Sequence, residues 1–133
     1  MPADVTSNGR PHILVVEDEL MIRMLLEDML VDCGYEVTAS AGRLDEAVKL
    51  AREADIDVAI LDVNLNGQSV APVAEILEMR GLPFVFATGY GERGLPERHR
   101  DRPTLQKPFQ QENLDRILAR LLPVADGISR PTP

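Results

Sequence analysis

The chain has 133 residues, 44% of them apolar, which fits one compact core and leaves no room for a second domain. Its 22 acidic against 14 basic residues give a net charge of -8, which argues against nucleic acid or an anionic membrane as a direct partner, since both rely on clustered Lys and Arg. No stretch reaches the roughly 18 consecutive apolar residues of a membrane span, Met1 to Pro11 has no apolar signal-peptide core, and one cysteine excludes an internal disulfide, so the cytoplasm is the expected compartment.

The first apolar run, His12-Ile13-Leu14-Val15-Val16, reads as a buried strand and stops at Glu17-Asp18-Glu19. Residues 20–33 carry Leu20, Met24, Met29 and Leu30, broken by Arg23, Glu27 and Asp28 at helical spacing. Gly34 stops this helix, and Cys33 near its end reads as a small buried hydrophobe. Residues 35–39 alternate as a second strand, and Leu44, Ala47, Val48 and Ala51 mark a second helix up to Ala54. Val58-Ala59-Ile60-Leu61 forms a third strand, closed by Asp62. Residues 69–80 set Val70, Val73, Ile76 and Leu77 on one face of a third helix before Gly81, and Pro83 opens a fourth strand, Phe84-Val85-Phe86-Ala87, that stops at Thr88. From Gly89 to Arg102 the chain is polar, with three glycines, Pro96 and five Arg or His side chains, which predicts a short or mobile fourth helix. Residues 103–106 make a fifth strand ending at Lys107-Pro108, and Leu114, Ile117, Leu118, Leu121 and Leu122 stripe a last helix. Residues 1–11 and 123–133 are expected to be flexible tails around a domain at 12–122.

Strands alternating with helices at this spacing predict an α/β fold: a flavodoxin-like (βα)5, a doubly wound parallel sheet of five strands in the order 2-1-3-4-5. In such a sheet the carboxyl ends of the strands lie along one edge, where ligands bind. That edge would gather Glu17, Asp18, Glu19, Asp62, Thr88 and Lys107. Acids brought that close repel one another unless a cation intervenes, and an all-carboxylate set with room for water suits Mg2+ better than zinc or copper. A carboxylate beside Mg2+, an ammonium and a hydroxyl is also what phosphoryl transfer to an aspartate needs, with an acyl phosphate as the product. Taken singly, each residue has a plainer reading. Glu17 to Glu19 make a favourable helix start, Thr88 suits a turn and Lys107 an exposed charge. What outweighs these readings is that all of them fall directly after successive apolar runs.

Ile13-Leu14-Val15-Val16-Glu17-Asp18-Glu19, Ala59-Ile60-Leu61-Asp62-Val63-Asn64-Leu65, Ala87-Thr88-Gly89 and Lys107-Pro108-Phe109 together resemble the receiver domain of bacterial two-component response regulators, across residues 12–122. The resemblance implies that Asp62 accepts a phosphoryl group from the phosphohistidine of a sensor histidine kinase or phosphotransfer protein. It implies that Asp18, Asp62 and the Asn64 backbone carbonyl bind Mg2+, with Glu17 acting through water. Lys107 would pair with Asp62 and then with the phosphoryl oxygens, Thr88 would swing in to bond the phosphoryl group, and the Lys107-Pro108 bond would be cis. Residues 83–91, Pro-Phe-Val-Phe-Ala-Thr-Gly-Tyr-Gly, resemble the signature of the FATGUY subgroup, many of whose members stand alone. In receivers a Tyr or Phe three residues before the lysine reports phosphorylation to the surface; here that residue is Thr104. Tyr90 and Asn64 occupy positions that in the family tune water access to the acyl phosphate.

Gly89-x-Gly91-x-x-Gly94 matches the dinucleotide fingerprint, but Leu95-Pro96 follows where a helix should receive the pyrophosphate, so its glycines read better as freedom for the loop after Thr88. His12 and His99 have no partners at metal-ligand spacing. A Mg2+-dependent phosphatase of the haloacid dehalogenase type resembles another pattern, with a second Asp as general acid where this chain has Asn64. A receiver fold kept only as an unphosphorylated binding module would not need the complete acidic, Thr and Lys set. With no output domain expected, signalling would run through protein contacts, phosphorylation-dependent dimerisation among them, or by draining phosphoryl groups from a kinase. The switch is expected between Gly89 and Arg102, helped by the exposed side of the last helix.

Overall fold

A computed structural model describes residues 9–89, 95 and 102–122 of the chain. The strands β1 (His12–Val16), β2 (Glu36–Ala41), β3 (Val58–Asp62), a short pair β4 (Asn64–Leu65) and β5 (Gln68–Ser69), then β6 (Phe84–Thr88) and β7 (Thr104–Gln106), alternate with the helices α1 (Leu20–Asp32), α2 (Leu44–Glu53), α3 (Ala71–Arg80) and α4 (Gln111–Leu121). The main sheet is parallel and runs β2-β1-β3-β6-β7, which is the expected order when its five strands are counted along the chain.

Both faces of this sheet are covered, which explains why its central strands read as continuous apolar runs rather than alternating ones. Leu14, Val16, Ala59, Leu61, Phe84 and Phe86 point to one side and pack with Ala47 and Ala51 of α2 and Val73 and Leu77 of α3. Ile13, Val15, Ile60, Val85 and Leu105 point to the other side and meet Leu26 and Leu30 of α1 and Leu114 and Leu118 of α4. Burying each of these leucines contributes about 2 kcal/mol. Two helices end in left-handed glycines, Gly34 (φ 97°) and Gly81 (φ 73°), a turn that costs a residue with Cβ far more.

The structure departs from the sequence reading in four places. The buried stripe of α1 is Leu26 and Leu30, whereas Leu20 and Met24 are 58% and 54% exposed. Helix α1 is apolar nearly all round, so its sequence marks a helix without saying which face the sheet receives. Strand β2 starts one residue later than expected and runs on to Ala41, where its carbonyl accepts the Glu17 N–H. Helix α3 begins at Ala71 and not at residue 69, because Asn64–Ser69 folds back on itself as an antiparallel hairpin. Asn66 (φ 54°) and Gly67 (φ 82°) turn it in the type I′ manner, and Pro72 then sits in the first turn of α3, where its missing N–H costs nothing. Cys33, expected to be buried, is only half-buried against the α1 side of the core because it follows the last turn of the helix, and burial, with Asp115 adding, pushes its thiol up. Most of the segment expected to hold a fourth helix, Tyr90 and His99 included, and the tail at 123–133 lie outside the described residues.

Candidate functional site at the carboxyl edge of the sheet

Three parallel strands end side by side and bring the residues at their carboxyl ends to one place. Register pairs Val16 with Leu61 and Asp62 with Ala87, so Glu17, Asp62 and Thr88 are neighbours across β1, β3 and β6. All three are buried polar residues, at 2%, 6% and 1% exposure. Lys107 arrives from the far side, just past β7, where its N–H donates to the Thr88 carbonyl at 3.0 Å. The Lys107-Pro108 peptide is cis.

The Lys107 ammonium sits 2.9 Å from Glu17 Oε1 and 3.3 Å from Asp62 Oδ2. Burial works to lower this ammonium, but the Glu17 hydrogen bond and the two carboxylates outweigh it and hold it above the ordinary lysine value. Burial is also the main force on Asp62, pushing its carboxyl from 3.8 up to about 6; Glu17 adds to the rise, while the Asn64 N–H and Lys107 pull against it. That N–H reaches Asp62 Oδ1 at 3.2 Å, and the Glu19 N–H reaches Glu17 Oε2 at 3.0 Å.

Glu17, Asp18 and Asp62 each offer a carboxylate oxygen within 4.8 Å of the others. Three carboxylates there face the Lys107 ammonium, which pairs with Glu17 and Asp62. An all-oxygen, charge-deficient cluster of this kind fits a hard divalent cation. The other positions singled out from the sequence are more dispersed. Thr104 is the half-buried first residue of β7, opposite Phe86. Beside it Arg102 pairs with Glu78 at 2.7 Å and lies 4.3 Å over the Phe84 ring. The Asn64 side chain is occupied by the hairpin, its Oδ1 accepting the Gly67 N–H at 2.7 Å. His12 sits at the opposite, amino edge, with its ring near the Asp55 carbonyl.

Three residues at this edge went unread in the sequence. Arg23 reaches back from α1 to the Glu17 carbonyl at 3.4 Å. Gly42 leaves room for it, since a Cβ there would lie 2.8 Å from Arg23 Nη1. Asn66 donates its backbone N–H to Asp18 Oδ2 at 3.2 Å and its side-chain Nδ2 to the Gly42 carbonyl at 3.4 Å. Only the last had a local signal, the Asn-Gly pair that favours a two-residue hairpin.

The profile of the response regulator receiver domain matches residues 13–119. The transcriptional regulatory protein PdtaR of Mycobacterium tuberculosis is 39% identical over 107 residues, covering 77% of this chain and 52% of that protein. The solution structure of SdrG from Sphingomonas melonis has a TM-score of 0.76 at 43% identity, covering 85% of this chain and 97% of that one. Its BeF3-activated conformation has a TM-score of 0.72 at 44% identity, over 84% and 96% of the two chains. The receiver domain of a sensor histidine kinase from Pseudomonas aeruginosa, with a magnesium ion coordinated in its active-site cleft, has a TM-score of 0.70 at 25% identity, over 84% and 97%. The chain spans about half the length of the curated relatives it matches.

Proposed function

This chain belongs to the response-regulator receiver family, a family of signalling domains, and we propose that within it Asp62 is the phosphoryl acceptor of a Mg2+-dependent phosphotransfer from a histidine-kinase or phosphotransfer phosphohistidine. The observation that carries this reading is the pairing of the buried Asp62 carboxylate with the Lys107 ammonium at 3.3 Å, at the end of a strand and beside two further carboxylates.

An Asp62 oxygen attacks the phosphorus of a phosphohistidine that is protonated on its other ring nitrogen; the bond from phosphorus to nitrogen breaks with its electron pair staying on nitrogen, and the histidine leaves as a neutral ring while Asp62 carries the acyl phosphate. With its carboxyl near 6, Asp62 is ionised at neutral pH and so available as a nucleophile. Lys107, already shared between Asp62 and Glu17, neutralises the transferred phosphoryl oxygens without a long side-chain movement. Thr88, the residue after the register partner of Asp62, supplies the hydroxyl that bonds the phosphoryl group. Asp18, Asp62 and the Asn64 carbonyl would hold Mg2+, with Glu17 acting through water; bound there, the ion would screen the charge between the carboxylate and the incoming phosphoryl group. A bound magnesium in the related Pseudomonas receiver and a BeF3-activated state of SdrG support this assignment. The outcome is a change of surface that acts through protein contacts or a drain on a kinase, with Thr104 standing where the usual aromatic reporter would be.

Incubation with Mg2+ and a small acyl phosphate, followed by intact mass, tests the assignment. The native chain should gain one phosphoryl group and Asp62→Ala none; a gain that survives the substitution moves the acceptor elsewhere.

A further inference from the structure

The Lys107 ammonium serves Glu17 and Asp62, whereas Asp18 takes its hydrogen bond from the hairpin, at Asn66 N–H. Repulsion from its two carboxylate neighbours would drive a loop aspartate outward, toward water, in the absence of a cation. A donor on one of its oxygens opposes that movement and fixes the plane of the carboxylate, which is how outer groups orient metal ligands. Every residue but proline could provide the backbone N–H. What singles out Asn66 is that it also accepts the left-handed backbone of the turn (φ 54°) and ties its own side chain to the Gly42 carbonyl.

We propose that Asn66 is a positioning residue for the metal-binding Asp18, acting as a tether that joins the loops after β1, β2 and β3 around the cation site. The inference rests on the Mg2+ reading of that site. Two further contacts hold these loops. Leu65, the hairpin residue before Asn66, is fully buried in the core, and Arg23 fills the space that Gly42 leaves open and holds the Glu17 carbonyl. The tether therefore closes a ring: Asp18 to Asn66 to Gly42, and from the Gly42 cleft through Arg23 to Glu17.

Asn66→Gly isolates the tether, because glycine adopts the turn conformation freely and keeps the backbone N–H while losing the bond to Gly42. Titration calorimetry with MgCl2 alone should show Mg2+ binding weakened about tenfold in this variant, at the low end of what outer-ligand changes cost. The urea midpoint measured in EDTA should stay at the native value, since the exposed side-chain bond adds little to global stability. In the native protein the Asn66 amide signal should shift with Mg2+ at the same Kd. Equal Mg2+ affinity in native and Asn66→Gly proteins overturns the inference and leaves the metal reading standing, whatever happens to the urea midpoint. A native protein that takes up no Mg2+ removes the metal reading and the inference together.

Discussion

Replacing Asp62 by Asn should stabilise the metal-free protein at neutral pH. The Asp62 carboxyl is pushed from 3.8 to about 6 in the folded chain, chiefly by burial. A carboxyl raised on folding contributes stability that is fully present below its unfolded value and is lost as pH rises through the folded value. Ionised Asp62 therefore works against the fold above about pH 6. A gap of about two units corresponds to roughly 3 kcal/mol at pH 7.5 as a ceiling, and relaxation around the buried charge brings the expected gain to about 2 kcal/mol. The pull of Lys107 is already included in that position, so losing the contact does not subtract a second time. Urea denaturation of both proteins in EDTA, from about pH 4 to pH 8, reads the effect directly. The difference should be small at pH 4, where folded Asp62 is protonated and the unfolded carboxyl only part-ionised, should grow between there and about pH 6, and should level off above. Since the two proteins share every other titrating group, the difference isolates Asp62. Adding Mg2+ at ten times its Kd should stabilise the native chain by about 1.4 kcal/mol and so narrow the gap. An Asp62→Asn protein less stable than native at pH 7.5 without metal, or a difference flat across the range, would refute the reasoning.

Lys107→Met should have the opposite sign, because it leaves Glu17 and Asp62 buried together without the ammonium that stands 2.9 and 3.3 Å from them. A loss of about 2 kcal/mol is expected at pH 7.5, shrinking toward pH 4 as Asp62 protonates, and the same urea series measures it. Leu65→Ala should cost about 3 kcal/mol in thermal or urea unfolding, since Leu65 is fully buried beneath the hairpin, whereas Met21→Ser, at 82% exposure, should change stability by less than about 0.5 kcal/mol.

The order of elements and the identity of the chemical residues were written locally. Apolar runs of strand length, helical stripes and the charged or hydroxyl residues that end each strand are short-range patterns, and a parallel sheet converts strand ends into one edge by geometry alone. Glu17, Asp62, Thr88 and Lys107 could be nominated in that way, although 45 residues separate Glu17 from Asp62 in the chain and another 45 separate Asp62 from Lys107. What no local pattern carries is how strongly these groups act on one another. The rise at Asp62 depends on how much water the folded sheet excludes and on where Glu17 and Lys107 come to rest. The face that α1 buries was likewise undecided until the sheet selected Leu26 and Leu30 from a helix apolar on nearly every side. The tether from Asn66 belongs to the same class: the Asn-Gly pair is a local turn signal that went unread, and its target, an aspartate 48 positions earlier, was fixed only when three loops met at the carboxyl edge of the sheet.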